Sequence, residues 1–576
     1  MTLLLAIFLA LTQAVQGAQP QGPPAGPPVK PAELGSIEGT VLKITDGLPL
    51  KKARVMLRRA EGMSTPVSAS TDAGGKFVMR EVTPGRYRLF VDRNGYARQE
   101  YGQRAANRPG SVITIGAGQK MRDVLFRMIP AAAVAGRVFD EDGEPVPYVA
   151  VQVLRHSYVR GQRQLIPAGS ASTNDLGEFR IFGLPPGRYY VSATPAGSGF
   201  VMAGGGGVAG RVMMIAGELA GRAGGGRAAA ANAEEESYAS TYYPGTIDPA
   251  RATPVEVKAG DEVLGMDLTL ILQRTFSVRG RVANSIDTRA RGQTNVFVMP
   301  REAGARGFMG MRNRATVDGN GEFEITGVAP GSYNVTAMLF ADGQAYTARQ
   351  AIEVGQGHIE GVNLLIAPGV DIPGKARLDG NVDLSGGNVR VMLTPPDESF
   401  SFGSFGNTTI AADGTFTLKN VSPGNYVVRL LSLPADAYLK EARFGGDDVV
   451  EEQLTIQPGR SSGALELTLS GSGARLDGLV LTDENLPFSG AQVALVPEQR
   501  LRQRSDLFKT GTTDQMGKFT LRGIRPGEYK LFAWDDVEPG SWHDPDFLRS
   551  YEQKGISVKV SEGGAQTKEL KVLPGA

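Results

Sequence analysis

Residues Thr71 to Tyr87 read TDAGGKFVMREVTPGRY. Asp72 followed by Ala73, Gly74 and Gly75 predicts a turn: the Asp side chain can accept from nearby backbone amides, and Gly supplies positive φ. Phe77, Met79 and Val82 fall largely on one face of the strand that follows. Pro84-Gly85 then turns the chain, and Tyr87, Leu89 and Val91 alternate with polar residues, the period-2 pattern of a half-buried strand.

The same reading recurs four times, as NDLGEFRIFGLPPGRY, VDGNGEFEITGVAPGSY, ADGTFTLKNVSPGNY and TDQMGKFTLRGIRPGEY. The Phe residues are Phe77, Phe179, Phe323, Phe416 and Phe519; the Tyr residues are Tyr87, Tyr189, Tyr333, Tyr426 and Tyr529. Each Phe precedes its Tyr by ten residues, so the spacing belongs to a repeated structural unit. Upstream of the motif lies another strand pair, as in IEGTVLKITDGLPLKKARVMLRR with its turn at Asp46-Gly47. Downstream come two more strands, as in SVITI and DVLFRM. About seven short strands in ~100 residues, with no helix signal, predict a Greek-key sandwich. The expected fold class is all-β, a tandem array of five antiparallel β-sandwiches over residues 34–129, 130–273, 274–367, 368–470 and 471–576. Joints such as Ile129-Pro130 and Gln273-Arg274 are short, which suggests a string of limited bending. Beads of ~13 Å radius of gyration, each ~35 Å across, would span ~150–180 Å in line.

Successive motif tyrosines are 102, 144, 93 and 103 residues apart. The long gap holds a Gly-clustered segment, residues 196–238, which buries too little to offset chain entropy and is expected to be a disordered insertion in the second unit. At the N-terminus, Leu3 to Leu11 (LLLAIFLAL) have signal-peptide length, with Val15 and Gly17 as small residues before a cleavage at Ala18, although no Lys or Arg precedes them. Residues 1–17 are therefore read as a signal peptide and 18–33 as a Pro-rich extended linker. No other run of ~20 apolar residues follows, so no transmembrane segment is expected in the mature chain.

Composition narrows the function. Gly (76) and Pro (35) together are about 19% of 576 residues, above the ~12% of average chains, which fits many turns. Charges balance at 61 basic and 60 acidic, leaving no footprint for nucleic acid. The absence of Cys removes disulfides, thiolate nucleophiles and Cys-ligated metals; three His leave little for zinc or His-based catalysis. None of His156, His358 or His543 begins a His-x-x-Glu pair, and no GxSxG elbow occurs. The chain is expected to be neither an enzyme nor a cofactor protein.

The unit GxVxDxxGxPxxxAxVxL followed by TDxxGxFxxxxxxPGxY resembles the carboxypeptidase regulatory-like domain. It is clearest in GRVFDEDGEPVPYVAVQVL with NDLGEFRIFGLPPGRYYVSA, and most divergent in the fourth unit. The resemblance implies a transthyretin (prealbumin)-like sandwich, akin to Cna B-type and carbohydrate-binding-like modules, in a non-catalytic accessory role. Segments such as Tyr242 to Val263 look like large exported proteins of soil bacteria. The expected location is extracytoplasmic, the expected partner a polysaccharide or an envelope protein, and the rival reading a structural rod with no glycan ligand.

Three constellations test this. A Cna-type isopeptide would need a Lys and an Asp or Asn on neighbouring strands; Lys43 and Asp123 are available but read more simply as exposed strand residues. Asp140, Glu141, Asp142 and Glu144 crowd one hairpin and could supply oxygens to calcium, or form a solvated turn. Both Trp lie in the last unit. Alternation from Tyr529 turns Leu531 and Ala533 inward and Phe532 and Trp534 outward. With Trp542 they could form a sugar-stacking platform, and Asp544, Asp546 and Arg549 could bond hydroxyls. The competing reading folds the segment 535–551 back over that face.

Limited proteolysis of the intact chain should cut first near Arg211, Arg222 or Arg227. Strong hydrogen-exchange protection across 196–238 would contradict the disorder.

Overall fold

The computed structural model describes residues 34–60, 65–159, 161–195, 236–286, 294–301, 314–341, 344–380, 389–395, 406–450, 452–457 and 463–575. The expected signal peptide and linker lie outside these residues, as does 196–235 of the insertion. Its last residues do not match the expectation: Glu236–Tyr238 form a strand paired with Leu272–Arg274, because backbone hydrogen bonds to the second sandwich's final strand fix them.

Each motif begins as the sequence implies. Asp72 Oδ1 accepts from the amides of Gly74 at 2.9 Å and Lys76 at 2.8 Å. Asn174, Asp318 and Asp514 repeat this double acceptance. The Phe strand and the Tyr strand then part. In the first sandwich, Lys76–Val82 pairs with the opening strand Gly35–Lys43, whereas Gly85–Asp92 pairs with Arg54–Arg59 in the opposite sheet. The Pro-Gly turn thus carries the chain from one sheet to the other, and Phe and Tyr reach one core from opposite sheets.

Two contacts make the motif specific. The Phe ring covers a glycine of the opening strand: a Cβ on Gly374 or Gly478 would come within 2.2 or 2.3 Å of Phe416 or Phe519. The Tyr hydroxyl donates to the carbonyl four residues upstream, from Tyr87 to Thr83, Tyr189 to Pro185, Tyr426 to Ser422 and Tyr529 to Arg525, at 2.7–2.9 Å. This is a tyrosine-corner bond that satisfies a carbonyl at the sheet crossing. The five Phe are buried, as are Tyr87, Tyr189, Tyr426 and Tyr529; Tyr333 is half-buried against its core.

Five sandwiches result, each with its own apolar core. Their sheets are not wholly antiparallel. In every sandwich the opening strand also pairs in parallel with the closing segment, for example Gly35–Lys43 with Lys120–Met128 and Ala474–Leu481 with Ala565–Lys571. The last strand returns beside the first by a crossover, so chain direction is shared. In the fourth sandwich Tyr438–Phe444 extends that sheet on the far side of Leu465–Ser470.

The expected string of limited bending does not run in line. The fifth sandwich folds back on the first. Arg108 Nε meets Asp536 at 2.5 Å, and Arg104 lies 3.9 Å from the centroid of the Phe488 ring. Gln515 Oε1 accepts from the Thr114 amide at 3.1 Å while its Nε2 donates to the Thr114 carbonyl at the same distance. Val112 and Asp514 form a parallel β-bridge. Short joints limit how neighbouring beads turn, but they do not keep distant beads apart.

Tyr189→Ala should destabilise the second sandwich by about 3–5 kcal/mol in chemical denaturation, through lost packing. Tyr189→Phe, losing only the hydroxyl, should cost about 1 kcal/mol. A loss below about 0.5 kcal/mol for Tyr189→Ala would contradict the two-sided core.

Candidate functional site: the second core of the fifth sandwich

The strand Gly527–Trp534 presents Tyr529, Leu531 and Ala533 to the main core and Phe532 and Trp534 to the other face, as alternation requires. That other face is not open. Residues 535–551 fold over it with a 3-10 turn, Ser541–His543, and a short helix, Pro545–Arg549. Asp544 caps the helix, accepting from the Asp546 amide at 2.8 Å, and Pro545 occupies its first turn.

The exposed platform is therefore corrected. Trp534 is 0% exposed, Phe532 1% and Trp542 7%. Phe532 and Trp534 stack at 5.2 Å between centroids with planes 12° apart, and Trp542 lies 6.5 Å from Trp534 at 20°. Tyr551 meets Trp534 edge-on at 5.6 Å and donates its hydroxyl to the Pro574 carbonyl at 3.0 Å. Phe508, Val537 and Leu548 complete a cluster separate from the sandwich core. The physical reason is area: an indole and a phenyl on a sheet face, flanked by Ala494 and Val496, form a large apolar patch, and a segment that brings Trp542, Leu548 and Tyr551 onto it buries apolar surface on both sides.

The polar candidates are scattered. Asp544 is a helix cap, and Asp546 and Arg549 pair with each other at 2.7 Å in solvent. None stands over an open ring. Sequence reading missed Phe508 because it lies on an irregular connection outside the repeated pattern.

The outer side of this cover docks on the second sandwich. Tyr158, on the hairpin strand Ala150–Val159, meets Phe547 edge-on at 6.5 Å. Arg155 lies 3.8 Å from Glu538. A Cβ on Gly161 would come within 2.7 Å of the His543 carbonyl, so only glycine permits this approach. Burial pushes the Tyr158 hydroxyl above its ordinary range, and the carboxylate of Asp544 adds to the shift. Burial likewise holds the His543 imidazole below its ordinary range, between Phe508 at 4.1 Å and Trp542.

The other constellations fall elsewhere. Lys43 pairs with Asp46 at 3.7 Å and stands in register with Met128, five residues along from Asp123, so no isopeptide can join them. Asp140 Oδ1 accepts from the amides of Asp142 and Glu144, and Glu141 accepts from the Tyr238 hydroxyl at 2.5 Å. That bond helps push Tyr238 up to about 12. Among the described residues no group of three or more His, Asp or Glu is arranged to hold a metal ion.

Residues 36–128 and 133–202 match the carboxypeptidase regulatory-like domain. These stretches are the first sandwich and the leading part of the second. No curated protein matches the chain in sequence. Among solved structures, the minor pilin of Streptococcus agalactiae is 11% identical, with 41% of this chain and 96% of that one covered and a TM-score of 0.21. Two B repeat units of the Staphylococcus aureus collagen binding protein are 11% identical, covering 76% of this chain and 100% of that one, at a TM-score of 0.12. The Bacillus anthracis TIE protein is 12% identical over 58% of this chain and only 51% of its own, at 0.15. At such scores no argument rests on these structures.

Trp534→Ala should cost about 3–5 kcal/mol of the fifth sandwich's stability. Native tryptophan emission should be blue-shifted, resist iodide quenching and stay unchanged when polysaccharides are titrated. Ready quenching of both indoles would contradict the covered core.

Proposed function

We propose that this chain is an exported, non-catalytic, multi-sandwich protein of the bacterial envelope that acts as a structural and protein-interaction scaffold, with the fifth sandwich as its junction. The observation that carries this reading is the use made of the aromatic residues. Among the described residues, the largest aromatic cluster outside the five sandwich cores holds a cover segment, and that cover docks on the second sandwich through Glu538 and on the first through Asp536, with Phe488 of the main core also meeting the first. The fourth sandwich is bound as well: Tyr438, Lys440 and Ser470 converge on Glu562 at 3.0–3.1 Å. A scaffold that must keep a set shape needs such non-local contacts; a flexible tether does not.

The apolar leader at Leu3–Leu11 and the Pro-rich spacer after it support an extracytoplasmic place. No helix among the described residues is long and apolar enough to cross a membrane, which leaves strand-based spanning unaddressed. Polysaccharide binding loses its leading position with the burial of Trp534.

Small-angle scattering tests the junction. A straight row of five sandwiches would have a radius of gyration of ~50 Å and a single compact body of this size ~24 Å. The wild type should fall well below the rod value. Arg108→Glu should raise it, and Arg108→Glu with Asp536→Arg should bring it back. A wild type at the rod value would sink the junction reading.

A further inference from the structure

The contact between the fourth and fifth sandwiches encloses a cavity of about 350 Å3. Leu430, Leu433 and Leu439 line it from the fourth sandwich, and Leu507, Lys509 and Arg525 from the fifth. Contacts around the cavity hold its walls. Arg522 grips the Asp436 carboxylate with two guanidinium nitrogens, and Arg429 donates to Ser505 at 2.9 Å. A Cβ on Gly523 would come within 2.7 Å of the Ala435 carbonyl, so the loop of the fourth sandwich sits directly on the fifth. The space is thus shaped before any ligand arrives.

Its charge is unbalanced. Asp506, at the cavity edge, has both carboxylate oxygens taken by Arg504, each at 2.8 Å. Lys509 feels the Asp506 carboxylate, yet among the described residues neither the Lys509 nor the Arg525 head group forms a hydrogen bond or a close ion pair. Burial holds the Lys509 ammonium below its ordinary range, which marks it as partly stripped of water. A cation partly taken from water whose nearest carboxylate is already held by another arginine is costly, and such groups cluster where an anion is bound. Opposite them the fourth sandwich presents Leu430, Leu433 and Leu439, with the Tyr438 ring beside them.

We propose that this cavity binds a small amphipathic carboxylate, its head on Lys509 and Arg525 and its apolar body against Leu430, Leu433, Leu439 and Leu507. Sites for small molecules run from about 300 to 1,000 Å3, so this one takes a single short chain or ring. Two cations match a monoanion's two oxygens, and the leucines exclude a fully hydroxylated body, which would leave its hydroxyls unpaired. Because the walls come from two sandwiches, occupancy would also tighten their joint.

The test is calorimetric titration of the full chain with three probes: octanoate, 1-octanol of the same chain length without charge, and glucuronate with charge but no apolar body. Octanoate should bind at least tenfold more tightly than either of the others. Lys509→Met and Arg525→Met should each weaken octanoate about tenfold or more, and raised salt should weaken it further. Leu433→Trp, which leaves both cations in place and fills the cavity from the fourth sandwich, should abolish binding while thermal unfolding stays near the wild type. No octanoate binding, glucuronate binding as tight as octanoate, or full binding by Leu433→Trp would each overturn the proposal.

Discussion

The passage of the chain from one sheet to the other at each Pro-Gly turn is the constraint on which the rest of this structure depends. A crossing of this kind strands backbone carbonyls between two sheets, and the buried Tyr hydroxyl satisfies one of them at its own upstream carbonyl, as Tyr189 does with Pro185. The Phe ten residues earlier closes the core from the opposite side by lying on a glycine of the opening strand. Phe and Tyr are held at fixed spacing because they must reach one core from two sheets. Once that crossing is fixed, the opening strand has the motif strand on one side and the closing strand on the other, and the parallel pairing follows.

Repetition of one stable unit gives a chain of similar beads; departures from the unit give it shape. The fifth sandwich departs most. It turns two outward strand positions, Phe532 and Trp534, into the floor of a second core, and residues 535–551 form the roof. The roof then offers new surface, and Glu538, the His543 carbonyl and Phe547 use it to meet the second sandwich. The polar face at Asp514 and Gln515 belongs to the motif turn itself, and here the same Asp that shapes the turn through its Oδ1 also accepts from Thr114 through its Oδ2 at 3.1 Å. A turn that shapes the hairpin in each copy becomes part of an interface in this one.

The fold was largely legible in the sequence, for a local reason. Turn chemistry at Asp72 or Asp514, alternation after Tyr87 or Tyr529 and the invariant ten-residue step are properties of short segments, and short segments carry them wherever they sit. The second core was half legible: alternation correctly turned Phe532 and Trp534 away from the main core, but alternation says which face a side chain takes and not what covers that face. The spread of Asp544, Asp546 and Arg549 into a cap and a solvent pair followed from a short helix that no periodic signal announced.

The sequence by itself determined the number of sandwiches, the strands and turns of each and the residues of their cores, because these rest on contacts within about a hundred residues that repeat. Tertiary structure alone decided that the fifth sandwich returns to the first and second, that Trp534 is sealed, and that Lys509 and Arg525 meet leucines of the fourth sandwich across a cavity. Those outcomes depend on single side chains, separated by as many as 428 residues for Arg108 and Asp536, and a contact made once leaves no period to read.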